Sequence, residues 1–142
     1  MRIGQLARSV GVDTQTIRFY ERQGLLPPPD RQENGYRVYN EKHGERLAFI
    51  RRCRILDLSL AEIDELQRHQ DDPHQSCTAV NALLDDHISH VRSQIAALQA
   101  LEKQLVSLRA SCNDDREVEA CGVLAGISEG SIHPQQAEAS TR

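Results

Sequence analysis

The sequence predicts a mainly α-helical chain in which a winged helix-turn-helix is followed by a long dimerisation helix and a cysteine-bearing loop. Three observations carry this reading. Two short apolar-periodic segments near the start are separated by a glycine, a proline-rich stretch containing Asn34-Gly35 follows them, and residues 78–111 hold neither Gly nor Pro. Composition agrees, because 39% hydrophobic residues with no Trp and only five aromatic side chains suit helices packed with Leu, Ile and Val better than a sandwich or barrel. A chain of 142 residues has room for one small domain plus an extended element, not for two full globular domains.

Ile3, Leu6, Ala7 and Val10 have the spacing of one helix face and Gly11 ends it, which predicts about two turns. Asp13 or Thr14 can cap a second helix reaching Gln23, with Gly24 where a C-terminal cap is expected. Helix, short glycine turn, helix is the helix-turn-helix pattern. In LLPPPDRQENGYRVY the prolines exclude helix, Asn34-Gly35 is a strong hairpin signal, and Tyr36, Val38 and Tyr39 suit the returning strand, so a wing is expected. Helices resume at about Glu41 to Leu56 and Ser59 to Arg68, the latter opened by a Ser59/Glu62 capping box, and Asp71, Asp72 and Pro73 break the run.

In residues 78–111, apolar residues at 84, 88, 91, 95 and 98 advance in steps of 4, 3, 4 and 3, a heptad seam. A lone helix of this length spans about 50 Å and leaves its apolar stripe in water, so it needs a partner, most simply a second copy. GVLAGIS is expected to form a short turn, and SIHPQQAEASTR is small, polar and expected to be disordered. The predicted organisation is a winged helix-turn-helix region with helical linker over residues 1–75, a dimerisation helix over 76–111, a cysteine-bearing loop over 112–128 and a flexible tail over 129–142.

The net charge of −4 conceals a segregation. Residues 1–57 carry eleven Lys or Arg against seven Asp or Glu, whereas residues 58–142 carry six against fourteen. The first part can meet phosphate and the second would be repelled by it. No stretch approaches a membrane span and the opening residues lack the apolar core of a signal peptide, which leads to the expectation of a cytoplasmic protein without a membrane partner. On the second helix Gln15, Thr16 and Arg18, with Tyr20, combine hydrogen-bonding groups with a cation. Tyr36 and Arg37 in the wing, and Arg51, Arg52 and Arg54, extend the basic surface. Any one of these can be an ordinary solvated residue, but their convergence on one motif points to double-stranded DNA.

The cysteines stand at 53, 77, 112 and 121, with no CxxC pair, which argues against a zinc ribbon or thioredoxin-like site. Cys53 lies between Ile50 and Leu56 and reads as a packing residue. Cys77 precedes the long helix, Cys112 follows it, and Cys121 comes nine residues later. Across about 50 Å, Cys77 and Cys112 of one chain cannot share an ion. If two copies pair antiparallel, Cys77 of one meets Cys112 and Cys121 of the other, giving two three-thiolate sites per dimer. Such a donor set suits soft ions such as Cd(II), Pb(II) and Hg(II). His87 and His90, at i and i+3, can face one ion as an accessory site, although solvated or capping roles are the plainer reading.

The segment IGQLARSVGVDTQTIRFYERQGLLPPPDRQENGYRVYNEKHGERLAFIRRCRILDLSLAEI resembles the N-terminal region of the MerR family of transcription regulators, and with VNALLDDHISHV and the cysteine positions it is similar to the lead- and cadmium-responsive branch. The resemblance implies a winged helix-turn-helix, an antiparallel coiled-coil homodimer and a C-terminal metal-binding loop. It places Thr16, Arg18 and Tyr20 at the DNA from the recognition helix, Tyr36 and Arg37 on the wing and Arg54 at the DNA backbone. It further implies a palindromic promoter site, Pb(II) or Cd(II) as effector, and a switch in which metal changes the dimer so that the DNA is distorted for RNA polymerase. Hg(II) fits the 35- and 9-residue spacings equally, Zn(II) stays open, and a thiol redox sensor is a further alternative. An accessory site would draw on a His-rich tail, where this chain offers only His133. A thiol enzyme is disfavoured, since no His neighbours Cys112 and no Gly-rich phosphate loop or paired carboxylate pocket is apparent; the chain is expected not to be an enzyme.

Overall fold

The computed structural model describes residues 1–130; most of the predicted tail, His133 included, lies outside them. Two compact units divide inside a long helix, the first comprising Met1–Asn81 and the second beginning at Ala82.

In the first unit, α1 (Ile3–Val10) ends at Gly11, whose φ of 81° supplies the left-handed residue that lets the Gly11 and Val12 N–H groups both reach the Ala7 carbonyl. α2 (Thr14–Arg22) starts at Asp13, whose carboxylate accepts from the Thr16 N–H at 2.7 Å. That bond holds the Asp13 carboxyl below the usual carboxylate range. Leu6, Ala7, Ile17 and Tyr20 are the buried positions of these two helices, so each shows one apolar face inward.

The wing is a two-stranded antiparallel sheet, β1 (Asp30–Arg31) and β2 (Arg37–Val38), in register Asp30 opposite Val38 and Arg31 opposite Arg37. Its turn differs from the tight two-residue form that Asn34-Gly35 suggests. The Gln32 carbonyl accepts from the Gly35 N–H at 2.9 Å and the Gln32 N–H donates to Tyr36 at 2.9 Å. Gly35 has φ 84°, while Asn34 is not among the residues of positive φ. This is a longer loop closed by a left-handed glycine, and it leaves Tyr36 outside the ladder.

α3 (Glu41–Ile55) is capped by Asn40, which accepts from the Lys42 and His43 N–H groups. The buried His43 returns a contact, its Nδ1 accepting from the Asn40 N–H at 3.1 Å, so its proton sits on Nε2 and is donated to the Pro28 carbonyl at 3.2 Å. α4 (Leu60–Gln70) opens with the expected capping box, Ser59 Oγ to the Glu62 N–H at 3.2 Å and Glu62 Oε1 to the Ser59 N–H at 2.8 Å. Leu47, Ile50, Cys53, Leu58 and Ile63 fill the core between these helices, which bears out the packing role of Cys53. Burial pushes the Cys53 thiol pKa up.

Between α3 and α4, Asp57 takes φ 63°, a left-handed conformation that costs an L-residue about 1 kcal/mol or more. It lets the Leu58 N–H close back on Cys53 at 3.1 Å. Replacing Asp57 by Gly is therefore expected to raise the unfolding free energy by about 0.5 kcal/mol, the relief of strain exceeding the extra freedom given to the unfolded chain. Urea denaturation of the two proteins measures this; a lower midpoint for the Gly form would contradict it.

α5 (Thr78–Ala110) is unbroken over 33 residues, about 50 Å. Leu83 and His87 are buried, whereas the seam residues Leu84, Ile88, Ile95 and Leu98 are exposed, Leu98 to 64%. A turn of 3-10 helix (Val118–Ala120) follows, then α6 (Gly122–Ser128), where the sequence suggests only a short turn. Among the described residues no helix is long and apolar enough to cross a membrane.

Candidate DNA interface and metal loop

The α2 helix sorts its side chains by periodicity. Ile17 and Tyr20, three apart, are buried, and Gln15 and Arg18 lie exposed with Thr16 half-buried beside them. Tyr20 is thus mainly a core residue, 8% exposed, its ring 5.8 Å from that of Phe19. Tyr36 is 53% exposed at the wing. Arg37 pairs with Glu21 at 3.4 Å, a contact the sequence does not announce. Tyr39, buried, donates its hydroxyl to the other oxygen of the same carboxylate and packs edge-on to His43 with centroids 5.2 Å apart. Burial, then the Glu21 carboxylate, raises the Tyr39 pKa to about 12. Glu21 therefore ties the wing to α2. Arg54 is exposed, with one guanidinium nitrogen donating to the Leu58 carbonyl at 2.8 Å and other donors available.

The three candidate thiols are distributed over both units. Cys77 is exposed immediately before α5, with Asn81 Nδ2 at 3.8 Å from its sulfur. Cys112 and Cys121 are half-buried in the second unit. The C-terminal end of α5 is tied off by Arg109 donating to the Cys112 carbonyl at 2.7 Å and Ser111 Oγ donating to Leu108 at 2.6 Å. α6 then begins against this end. A Cβ on Gly122 would stand 2.2 Å from the Ser111 carbonyl oxygen, so only glycine permits the two backbones to approach this closely.

Cys121 occupies the N-terminal cap of α6. The N–H groups of Leu124 and Val123 hold its thiol below the ordinary range, and the Cys112 thiol and the Arg109 cation act in the same direction. In the metal-free protein, alkylation of Cys121 by iodoacetamide is therefore expected to rise at lower pH than in the urea-unfolded chain. Mass-resolved rates across pH 6–10 test this; identical profiles would refute the effect.

This arrangement brings two of the three candidate ligands to one place. Among the described residues no group of three or more Cys, His, Asp or Glu side chains gathers within the chain to hold a metal. The donor chemistry nonetheless fits a soft ion, because two thiols, one poised toward thiolate, converge where a third sulfur could complete the set. His87 differs from the expected solvated role, being buried, while His90 is half-buried. Both lie to the side of the seam that also holds the buried Leu83, an environment that the heptad pattern did not assign to them. Gly122 and Glu21 are the positions missed by reading motifs, and only the glycine in CGV hinted at a close approach.

Comparisons with known proteins match this architecture. The profile described as MerR HTH family regulatory protein matches residues 1–70, and that described as MerR, DNA binding matches residues 45–108. The HTH-type transcriptional regulator ZntR homolog of Haemophilus influenzae is 45% identical over 109 residues, covering 77% of this chain and 81% of its own. The crystal structure of the transcription regulator PbrR691 from Ralstonia metallidurans CH34, in complex with lead(II), superposes with a TM-score of 0.81 at 47% identity, covering 89% of this chain and 98% of that one. The dual-function transcriptional regulator MerR from Bacillus megaterium MB1, in complex with mercury(II), gives 0.67 at 30% identity, with 90% of this chain and 99% of that chain covered. The chain belongs to the MerR HTH family of regulatory proteins.

Proposed function

We propose that this protein is a metal-responsive transcriptional regulator that binds promoter DNA as a homodimer and senses Pb(II) or Cd(II) through Cys112 and Cys121 of one chain and Cys77 of its partner. The observation that carries the reading is the Gly122–Ser111 contact, which holds Cys112 and Cys121 at the same end of α5 while Cys77 begins the other end. The exposed seam of Leu84, Ile88, Ile95 and Leu98 gives a second copy an apolar face to cover. An antiparallel copy brings its Cys77 to the incomplete pair.

In this scheme Gln15, Thr16 and Arg18 meet the groove and its edges, Tyr36 and Arg37 of the wing and Arg54 meet the backbone, and Tyr20 anchors α2 from the core side. The bound ion supplies sulfur-to-metal bonds that favour one arrangement of the dimer over the other. The chain's own part is to present thiolates: the α6 amides lower the proton affinity of Cys121, and the Gly122 contact fixes its distance from the end of α5. A dimer with two arrangements of different metal affinity is shifted by the ion, and the shift reaches the promoter, and RNA polymerase on it, as a changed spacing of the two α2 helices.

Lead is favoured over mercury by the higher identity to the lead-bound relative, 47% against 30%. Hg(II) is the second reading, since it asks for the same donors. An ultraviolet titration of the purified protein with Cd(II) or Pb(II) tests the function. Thiolate-to-metal charge-transfer bands saturating at one ion per chain are expected, and their absence would overturn the sensor. Competition among Pb(II), Cd(II), Hg(II) and Zn(II), read by transcription, then ranks the metals; a response to oxidant alone would instead favour thiol redox sensing.

A further inference from the structure

Three features of the first unit converge on Arg2, a residue outside both the helix-turn-helix motif and the wing sequence. The Tyr39 N–H donates to the Met1 carbonyl at 2.7 Å, and the Met1 amino group donates to the Tyr39 carbonyl at 2.6 Å. This reciprocal pair lays the first residues alongside the end of β2, like a short extra strand. Arg2, next along, then places its guanidinium carbon 3.9 Å from the centroid of the Tyr36 ring. The chain is thereby pinned to the wing by backbone and by side chain.

The electrostatics distinguish this cation from the one the motif offers. The charge of Arg37 is offset by Glu21 at 3.4 Å. Arg2 is exposed and, among the described residues, no carboxylate pairs with it; its partner is the neutral Tyr36 ring. A guanidinium held over an aromatic face is restrained in position yet keeps the N–H donors at its edge for a planar anion. It stands beside a wing whose aromatic residue is itself open to solvent.

We propose that Arg2 is a DNA-phosphate contact, carried by the wing through its stack on Tyr36 and supplying there the uncompensated charge that Arg37 lacks. The proposal rests on the reading that α2 and the wing face DNA. Neutralising one phosphate with one cation releases condensed counterions, so the contact has a signature that a purely structural residue lacks. The slope of log affinity against log salt changes by about 0.9 per phosphate on duplex DNA. The loss is uniform across base sequences, because phosphate carries no sequence information.

The test uses the full chain and a duplex enriched from a random library with the unaltered protein. Affinities are measured by fluorescence anisotropy from 50 to 300 mM salt for the parent, Arg2→Gln, Arg2→Lys and, as a control on the underlying reading, Arg18→Gln. Arg2→Gln is expected to weaken binding with a slope shallower by about 0.9, Arg2→Lys to restore the slope, and thermal unfolding of all forms to coincide. A weaker Arg2→Gln protein with the parental slope would make Arg2 structural and overturn the proposal. An unchanged Arg2→Gln with a weakened Arg18→Gln would overturn it alone. No loss in either variant would remove the DNA-facing reading as well.

Discussion

A heterodimer assembled from one chain carrying Cys77→Ser and another carrying Cys112→Ser is expected to bind one metal ion tightly, whereas neither variant binds any as a homodimer. The expectation follows from arrangement alone. α5 keeps Cys77 and Cys112 at opposite ends of 33 helical residues, so a three-sulfur site must draw on two chains. In the mixed dimer, one end combines the intact Cys77 with an intact Cys112 and Cys121, and the other end lacks two ligands. Differently tagged chains, purified in tandem and titrated with Cd(II), give the stoichiometry. A mixed dimer with no tight site would end the cross-chain model, and tight binding by the Cys77→Ser homodimer would show that Cys77 is dispensable.

Gly122→Ala is expected to lower metal affinity by about 10–100-fold while leaving DNA binding by the metal-free protein unchanged. The added methyl would lie 2.2 Å from the Ser111 carbonyl oxygen and 2.9 Å from its carbonyl carbon, both backbone atoms. Rotating a side chain cannot relieve this, so α6 must move away from α5 and carry Cys121 with it. Ser111→Gly should not rescue the variant, because the obstructing atoms remain. Isothermal titration with a chelator-buffered metal, beside anisotropy with DNA, separates the two effects. Parental metal affinity in Gly122→Ala would mean that the contact does not set the ligand spacing, and a parallel loss of DNA binding would point to general unfolding.

Where a local rule decides the structure, the sequence was sufficient. Gly11 and Gly24, the Asp13 cap and the Ser59/Glu62 capping box each place a helix end within a residue or so of where it lies, because these signals act over one turn. The wing was legible as a hairpin but not in its turn, since Asn34-Gly35 serves both a two-residue loop and a longer loop closed by Gly35 alone. Strands of two residues carry no periodicity from which their bounds could be read. What escaped depends on residues distant in sequence. The burial of His87, the hold of Glu21 on Arg37 and Tyr39, and the approach of Gly122 to Ser111 all require the tertiary fold before they exist. The three cysteines were legible as candidates by type and spacing, and the convergence of Cys112 with Cys121 only in three dimensions.

The apolar stripe on α5 has a consequence for inheritance as well as for folding. With a second copy proposed to cover it, a chain whose recognition helix is damaged but whose α5 is intact still pairs with sound chains. Under random pairing at equal amounts, about half of the dimers are mixed and only about a quarter are fully sound. Each mixed dimer has one working reading head, and a palindromic site needs two. Damage to α2 should therefore be dominant over the intact gene in the same cell, whereas damage that disables α5 should be recessive, because such a chain withdraws from pairing altogether.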